Sequence, residues 1–198
     1  MLMQYHFMAE GKFAMLYDLM FGLILRRMER KIVDIAFRHK CEKIVDMGCG
    51  TGLQLSLLNK NGFDTIGIDI SPAMVRYAKR KGLQCIIGDI SSTPFPSHNF
   101  DCLIYSFVFH LNEEEKIKEI LHEGKRILKR GGKIIITDYG GKGVITKMIK
   151  RLAPEEHYSN YLDYIKKGAI DNIVQISKMK LMEGHRFYKG AVQTIVLS

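Results

Sequence analysis

The stretch IVDMGCGTGLQL, Ile44 to Leu55, sets Gly48, Gly50 and Gly52 on alternate positions directly behind an apolar run. Glycine holds strands and helices together poorly, so such a cluster serves backbone geometry. It makes either a sharp turn or a main chain bare enough for a ligand to touch. Acids follow at intervals, with Asp69 and Asp89 each closing a later apolar run. A carboxylate about twenty residues beyond such a loop can accept both hydrogen bonds of a ribose diol. Asp46 stands two residues before the first glycine, where a carboxylate repels a pyrophosphate and suits a ligand with positive groups. The spacing G-x-G-x-G also departs from the G-x-G-x-x-G of dinucleotide sites. These residues point to a nucleoside with cationic groups and no phosphate. Tight turns with solvent-facing acids are the bland alternative.

S-adenosylmethionine meets that description, with its sulfonium, ammonium, ribose and adenine. Its methyl carbon is already activated for in-line displacement, so holding an acceptor in line supplies much of the catalysis and no nucleophilic triad is required. A base helps where the acceptor is a hydroxyl or an acidic carbon. His110, just past the fourth apolar run, is placed to be that base; packing or capping is its other reading. No Asn-Pro-Pro-Tyr or Asp-Pro-Pro-Tyr run follows that strand, which argues against amino-methylation of nucleobases. The histidines and cysteines form no cluster at metal-ligand spacing.

Positioning these residues requires strand ends that converge. KIVDMG, DTIGIDIS, LQCIIGDI, FDCLIYSFVFHL and GGKIIITDYG read as five buried strands, apolar on both faces. Between them LQLSLLNKNG, AMVRYAKRKG and NEEEKIKEILHEGKRILKR read as helices. Ser71 and Pro72 make a cap and first-turn pair for the second of these, and Asn112 a cap for the third. Strands alternating with helices imply a parallel sheet covered on both sides, with ligands beyond the carboxyl ends of its strands. A helix around Glu155 to Lys167 follows, then strand-like runs near Asp171 to Met182 and Gly190 to Leu197 that can pair as a hairpin. Phe13, Leu16, Tyr17, Met20, Leu23 and Ile24 recur at helical spacing in the opening segment.

Composition narrows the classes. The hydrophobic share is 46% and the charged share 26%, ordinary for a globular domain with a real core. Cys41, Cys49, Cys85 and Cys102 lie in or beside apolar runs, where thiols behave as small buried hydrophobes, and a reducing, cytoplasmic setting is expected. No run is long and apolar enough to span a membrane, and the start lacks the order of a secretory signal. The net charge of +9 raises nucleic acid as a partner, but the basic residues are scattered at the spacing of solvated helix faces. Nucleic acid is therefore the less favoured partner.

VDMGCGTG, IGIDIS, IIGDI, FDCLIYSFVFHL and ILKRGGKIIITDY resemble, in order and spacing, the successive motifs of class I S-adenosylmethionine-dependent methyltransferases. The likeness runs from Lys43 to about Tyr139. The opening YDLMFGLILRRMERKIVDI is similar, more broadly, to the lead-in of the ubiquinone and menaquinone C-methyltransferase group. The resemblance implies an α/β, Rossmann-like seven-stranded sheet, mostly parallel with the last strand antiparallel, helices on both faces and an N-terminal helical lid. A single domain over residues 1–198 is expected, with the lid in 1–40 and the core in 41–198.

By that resemblance Gly48 and Gly50, with the backbone of Cys49, approach the methionine part, and Asp46 holds its amino-acid end. Asp69 takes the ribose hydroxyls, Ile70 and Met74 lie along the adenine or ribose, and Asp89 accepts from the adenine amino group beside Ile90. Ser106 offers its carbonyl to the ammonium, while Gly52 serves helix packing. Core packing alone would also explain Ile70 and Met74. Tyr17, in a Tyr-Asp pair with Asp18, is expected on the lid over the cofactor, or else packs with Phe13 and Met20. The expected activity is methyl transfer from S-adenosylmethionine to a small, apolar or quinone-like acceptor, leaving S-adenosylhomocysteine. Methylation of RNA or protein, and cofactor binding without catalysis, are the alternatives; monomer and homodimer both stay open.

Overall fold

The computed structural model describes residues 26–141 and 155–198. A helix, α1, occupies residues 26–38 of the described chain. The five apolar runs become β1 (Lys43–Met47), β2 (Asp64–Asp69), β3 (Cys85–Ile87), β4 (Phe100–Ser106) and β5 (Leu128–Tyr139). Between them lie α2 (Leu53–Lys60), α3 (Pro72–Arg80) and α4 (Glu114–Ile127). After α5 (Glu155–Lys166) and α6 (Ile170–Ser177), the chain closes with β6 (Leu181–Phe187) and β7 (Val192–Leu197).

The sheet has seven strands in the order β3-β2-β1-β4-β5-β7-β6. Neighbours from β3 to β5 run parallel, and β7 is antiparallel to both β5 and β6. Strand order reverses between β1 and β4, the switch point where such sheets open a crevice for ligands. On one face Ile32, Val33, Ile35 and Ala36 of α1 bury Ile44, Ile104 and Ile135. On the other, α4 and α6 cover Leu103, Tyr105, Ile134 and Ile136. A smaller cluster of Leu55, Val75, Ala78 and Leu83 packs α2 onto α3.

Several local expectations change. The run from Asp171 is not a strand: α6 occupies Ile170–Ser177, with Ile170 and Ile173 buried one turn apart, and only Leu181–Phe187 pairs with β7. Val and Ile favour strands only where a sheet surface receives them, and here the packing partner is a helix. Asn112 does not cap α4; its Nδ2 donates to Val108 O at 2.8 Å, and Glu113 stands at the cap position. Ser71 does cap α3, accepting from Met74 N at 3.4 Å. The helix before β5 ends at Ile127, three residues before the expected Arg130, because Leu128 already pairs with Phe100. Cys41 and Cys102 are not separate thiols but a disulfide, so cysteine usage no longer argues for a reducing compartment. Cys49 and Cys85 are free and buried.

Candidate active site

The turn after β1 folds back onto β2. Gly48 N and Cys49 N both donate to Ile68 O, at 2.8 and 3.1 Å, and Gly52 N donates to Cys49 O at 2.8 Å. Gly48, Gly50 and Gly52 have φ of +83°, +51° and +78°, left-handed conformations that side-chain-bearing residues rarely adopt. Their surroundings separate their tasks. A Cβ on Gly52 would lie 2.5 Å from Leu83 Cδ1 and 3.2 Å from Ala78 Cβ, so this glycine lets α2 approach α3. A Cβ on Gly48 would lie 2.8 Å from Val108 Cγ2, whereas one on Gly50 would meet nothing within 4 Å. Gly50 is the bare position. The Cys49 side chain turns inward, its Sγ 4.0 Å from Cys85 Sγ, leaving only its backbone to the loop.

Asp69 closes β2 and fastens this loop. Its Oδ2 accepts from Gly50 N and its Oδ1 from Ser71 N, both at 2.8 Å. Burial raises its pKa, and the two backbone N–H bonds oppose that rise. A carboxylate has about four lone-pair sites, so two remain for a diol. The amides of Gly48, Cys49, Gly50 and Gly52 are all engaged within the protein. At these four positions no amide is left over for a phosphate, and the carboxylates of Asp46 and Asp69 stand out as recognition groups.

Asp46 lies beneath the loop and is buried. Burial pushes its pKa up to about 8, with Cys85, Asp69 and Glu29 adding to the rise. The cavity above it is lined by Gly48, Gly50, Gln54, Ser106 and Phe107 among others. Two polar atoms there, Gln54 Oε1 and Ser106 Oγ, are buried without a hydrogen-bond partner among the described residues. Buried polar groups are normally paired, so both mark places for a polar ligand. An ammonium and carboxylate pair beside Asp46 would satisfy them, and the residues present fit the amino-acid end of S-adenosylmethionine.

The other end is apolar. Ile70 is 54% exposed and Ile87, level with Asp69 across the β2–β3 pairing, 56% exposed. A flat ring laid against these side chains would take apolar surface out of water. Ile87 escaped sequence reasoning because it reads as one more core residue of its strand. Met74 is buried, and Ile90 is half-buried against the core. Asp89 is not free: Lys116 Nζ binds its Oδ2 at 3.0 Å, and Ser91 donates to its Oδ1 through both N and Oγ at 2.8 Å. Burial raises the Asp89 pKa, but those donors prevail and hold it below the usual range. Tyr17 lies outside the described residues.

At the end of β4 the chain bends sharply. Phe107 takes φ of +58°, and its N–H donates to Thr137 O at 2.8 Å. Three residues on, His110 is buried, with Nδ1 2.8 Å from Oδ1 of Asp138. Asp138 is fully buried near the end of β5; Phe109 N reaches its Oδ2 at 2.9 Å and Tyr139 N its Oδ1 at 2.8 Å. Tyr139 meets the His110 ring edge-on at 4.7 Å, and Tyr161 of α5 lies 6.3 Å from it. His157, also on α5, has its pKa lowered by burial and by His110, against Glu156. Asp138 is inconspicuous in the sequence because its partner lies 28 residues away and becomes adjacent only when β4 pairs with β5.

A family profile described as a methyltransferase domain matches residues 45–136. A demethylmenaquinone methyltransferase of Renibacterium salmoninarum is 29% identical over 116 residues, which is 58% of this chain and 48% of that protein. The chain thus spans about half the length of that curated relative. An uncharacterized protein of Methanocaldococcus jannaschii is 31% identical over 184 residues, 89% of this chain and 68% of that protein. The fold is that of a S-adenosylmethionine-dependent methyltransferase from Clostridium acetobutylicum, with a TM-score of 0.70 at 14% identity, covering 95% of this chain and 98% of the other. Among the described residues, no helix is long and apolar enough to cross a membrane.

Proposed function

The chain belongs to the class I S-adenosylmethionine-dependent methyltransferases, and on that premise we propose that it methylates a small, flat, apolar acceptor of quinone-like shape. The observation that carries the cofactor assignment is the Asp69 carboxylate bound to Gly50 N in a turn whose Gly48, Cys49, Gly50 and Gly52 amides are engaged within the protein. Asp46, Gly48 and Gly50 would hold the amino-acid end, with Gln54 and Ser106 turned toward it. Asp69 would receive the ribose hydroxyls, and Ile70 and Ile87 would sandwich the adenine, with Met74 and Ile90 behind them. Asp89 Oδ1 is filled by Ser91 N and Oγ, but Oδ2, bonded to Lys116, keeps one acceptor site, enough for an adenine amino group. Tyr17 would close over the ligand. When bound, the cofactor supplies a methyl carbon activated by positive sulfur.

The acceptor class rests on two supports. Relatives named demethylmenaquinone methyltransferase match half of this chain or more. Beside the cofactor cavity, Phe107, Tyr139 and Tyr161 form an aromatic wall around His110, with centroid spacings of 5.3 Å (Phe107–Tyr139) and 5.4 Å (Tyr139–Tyr161). Flat rings stack and tilt against such walls favourably. His110 would take a proton from the acceptor as its new bond to carbon forms.

The test is incubation of the protein with methyl-labelled S-adenosylmethionine and a short-chain demethylated naphthoquinol, with label followed into product. Label on the naphthoquinol supports the reading. Bound cofactor without transfer to any quinol or phenol in a panel would overturn the acceptor class while leaving the family intact.

A further inference from the structure

We propose that Asp138 is a positioning residue that fixes His110 in the tautomer protonated at Nδ1, leaving Nε2 as a lone-pair base for acceptors whose reacting group is a hydroxyl or an acidic carbon. This rests on the methyl-transfer reading above. It goes further by assigning a role to Asp138 and by favouring acceptors that need a base.

The geometry is specific. Asp138 is fully buried and approached by three backbone N–H groups, from Phe109, His110 and Tyr139, at 2.9, 3.3 and 2.8 Å. A carboxylate so surrounded is an acceptor only and requires a hydrogen on whatever faces it. What faces its Oδ1 at 2.8 Å is His110 Nδ1, which must therefore donate. The other ring nitrogen, Nε2, has no hydrogen-bond partner among the described residues. Tyr139 meets the ring edge-on at 4.7 Å and Tyr161 lies edge-on at 6.3 Å. Phe107 links this dyad to the cofactor cavity: it lines that cavity, and its ring centroid lies 6.5 Å from that of His110. Its left-handed backbone is a conformation that bulky residues hold only under surrounding constraint, and such positions cluster at functional sites.

The chemistry balances without a further reagent. The acceptor's O–H or C–H bond breaks and its proton passes to Nε2. The electron pair left behind forms the bond to the methyl carbon, and the pair of the broken carbon–sulfur bond stays on sulfur. His110 then carries a positive charge beside the Asp138 carboxylate, and releases the proton to solvent. A neutral amine has its own lone pair and gains nothing from this arrangement.

Nitrogen-15 correlation spectra of the histidine rings test the proposal without any acceptor. Recorded at alkaline pH on the ring carrying a single proton, the wild type is expected to show His110 protonated at Nδ1 and bare at Nε2. Asp138→Asn should move the proton to Nε2 while S-adenosylmethionine affinity stays within about twofold, since neither residue is placed on the cofactor. A wild-type ring protonated at Nε2, or at both nitrogens, overturns the proposal, and this reading needs no variant to fold. With the naphthoquinol probe, Asp138→Asn and His110→Gln should each lower kcat by ~100-fold or more without raising KM for the cofactor. Wild-type kcat in either variant would also overturn it. Failure of the wild type to bind S-adenosylmethionine would instead strike the methyltransferase reading, and the spectra still decide the tautomer.

Discussion

Gly50 N–H donates to Asp69 Oδ2 at 2.8 Å, so the carboxylate that ends β2 holds the turn that ends β1. One group thereby shapes the loop and keeps acceptor capacity for a ligand. Asp69→Asn replaces a charged acceptor by an amide that can satisfy only one of its two backbone donors. Hydrogen bonds to charged groups contribute about 1.5–3 kcal/mol, and a stability loss of that order is expected in urea unfolding. An unchanged unfolding midpoint would mean that the loop keeps its shape without Asp69.

The glycines should separate by environment. Gly52→Ala must fit a methyl 2.5 Å from Leu83 Cδ1 in a left-handed conformation. Overpacking of this kind costs about 1–3 kcal/mol, so a fall in melting temperature is expected. Gly50→Ala has open space and incurs only the left-handed penalty of about 1–2 kcal/mol. Its main effect should fall on cofactor affinity, measured by calorimetric titration. Equal stability losses with no affinity change at Gly50 would contradict the assignment.

How far the sequence disclosed these features follows from range. Strands, glycine turn and terminal acids are local patterns, and each lies where hydrophobic period and turn chemistry place it. The stretch IDNIVQIS is locally ambiguous, because Ile and Val suit a strand while the spacing of Ile170 and Ile173 suits a helix; packing under the sheet chose the helix. The Cys41–Cys102 bond spans 61 residues, and the two meet only because Ile44 pairs with Cys102 across β1 and β4. Asp138 with His110 and Ile87 beside Asp69 are likewise products of strand register.

Asp46 gives a pH dependence whose sign is set by its environment. Its folded pKa of about 8 lies above the ordinary 3.8, so the folded chain keeps a proton that the unfolded chain has released across that window. Stability from this group is present below the lower value and declines as pH rises toward the upper one. Asp46→Asn should remove that slope and be more stable than wild type above about pH 8. Unfolding curves at several pH values check this, and parallel slopes for the two proteins would refute it.

The Cys41–Cys102 bond closes a long loop, for which chain-entropy arguments give about 4 kcal/mol. Thiol titration of the unfolded, unreduced protein should find two thiols, from Cys49 and Cys85. Reduction or Cys41→Ala should lower the melting temperature. Four titratable thiols and a melting curve indifferent to reductant would count against the bond.

The central claim is that the glycine turn and Asp69 together hold S-adenosylmethionine, and equilibrium titration of that molecule addresses it most directly. One-to-one binding to the wild type is expected, with affinity at least ~10-fold weaker in Asp69→Ala and no binding of NAD, whose pyrophosphate the loop disfavours. Equal affinity in wild type and Asp69→Ala, or preference for NAD, would contradict the account.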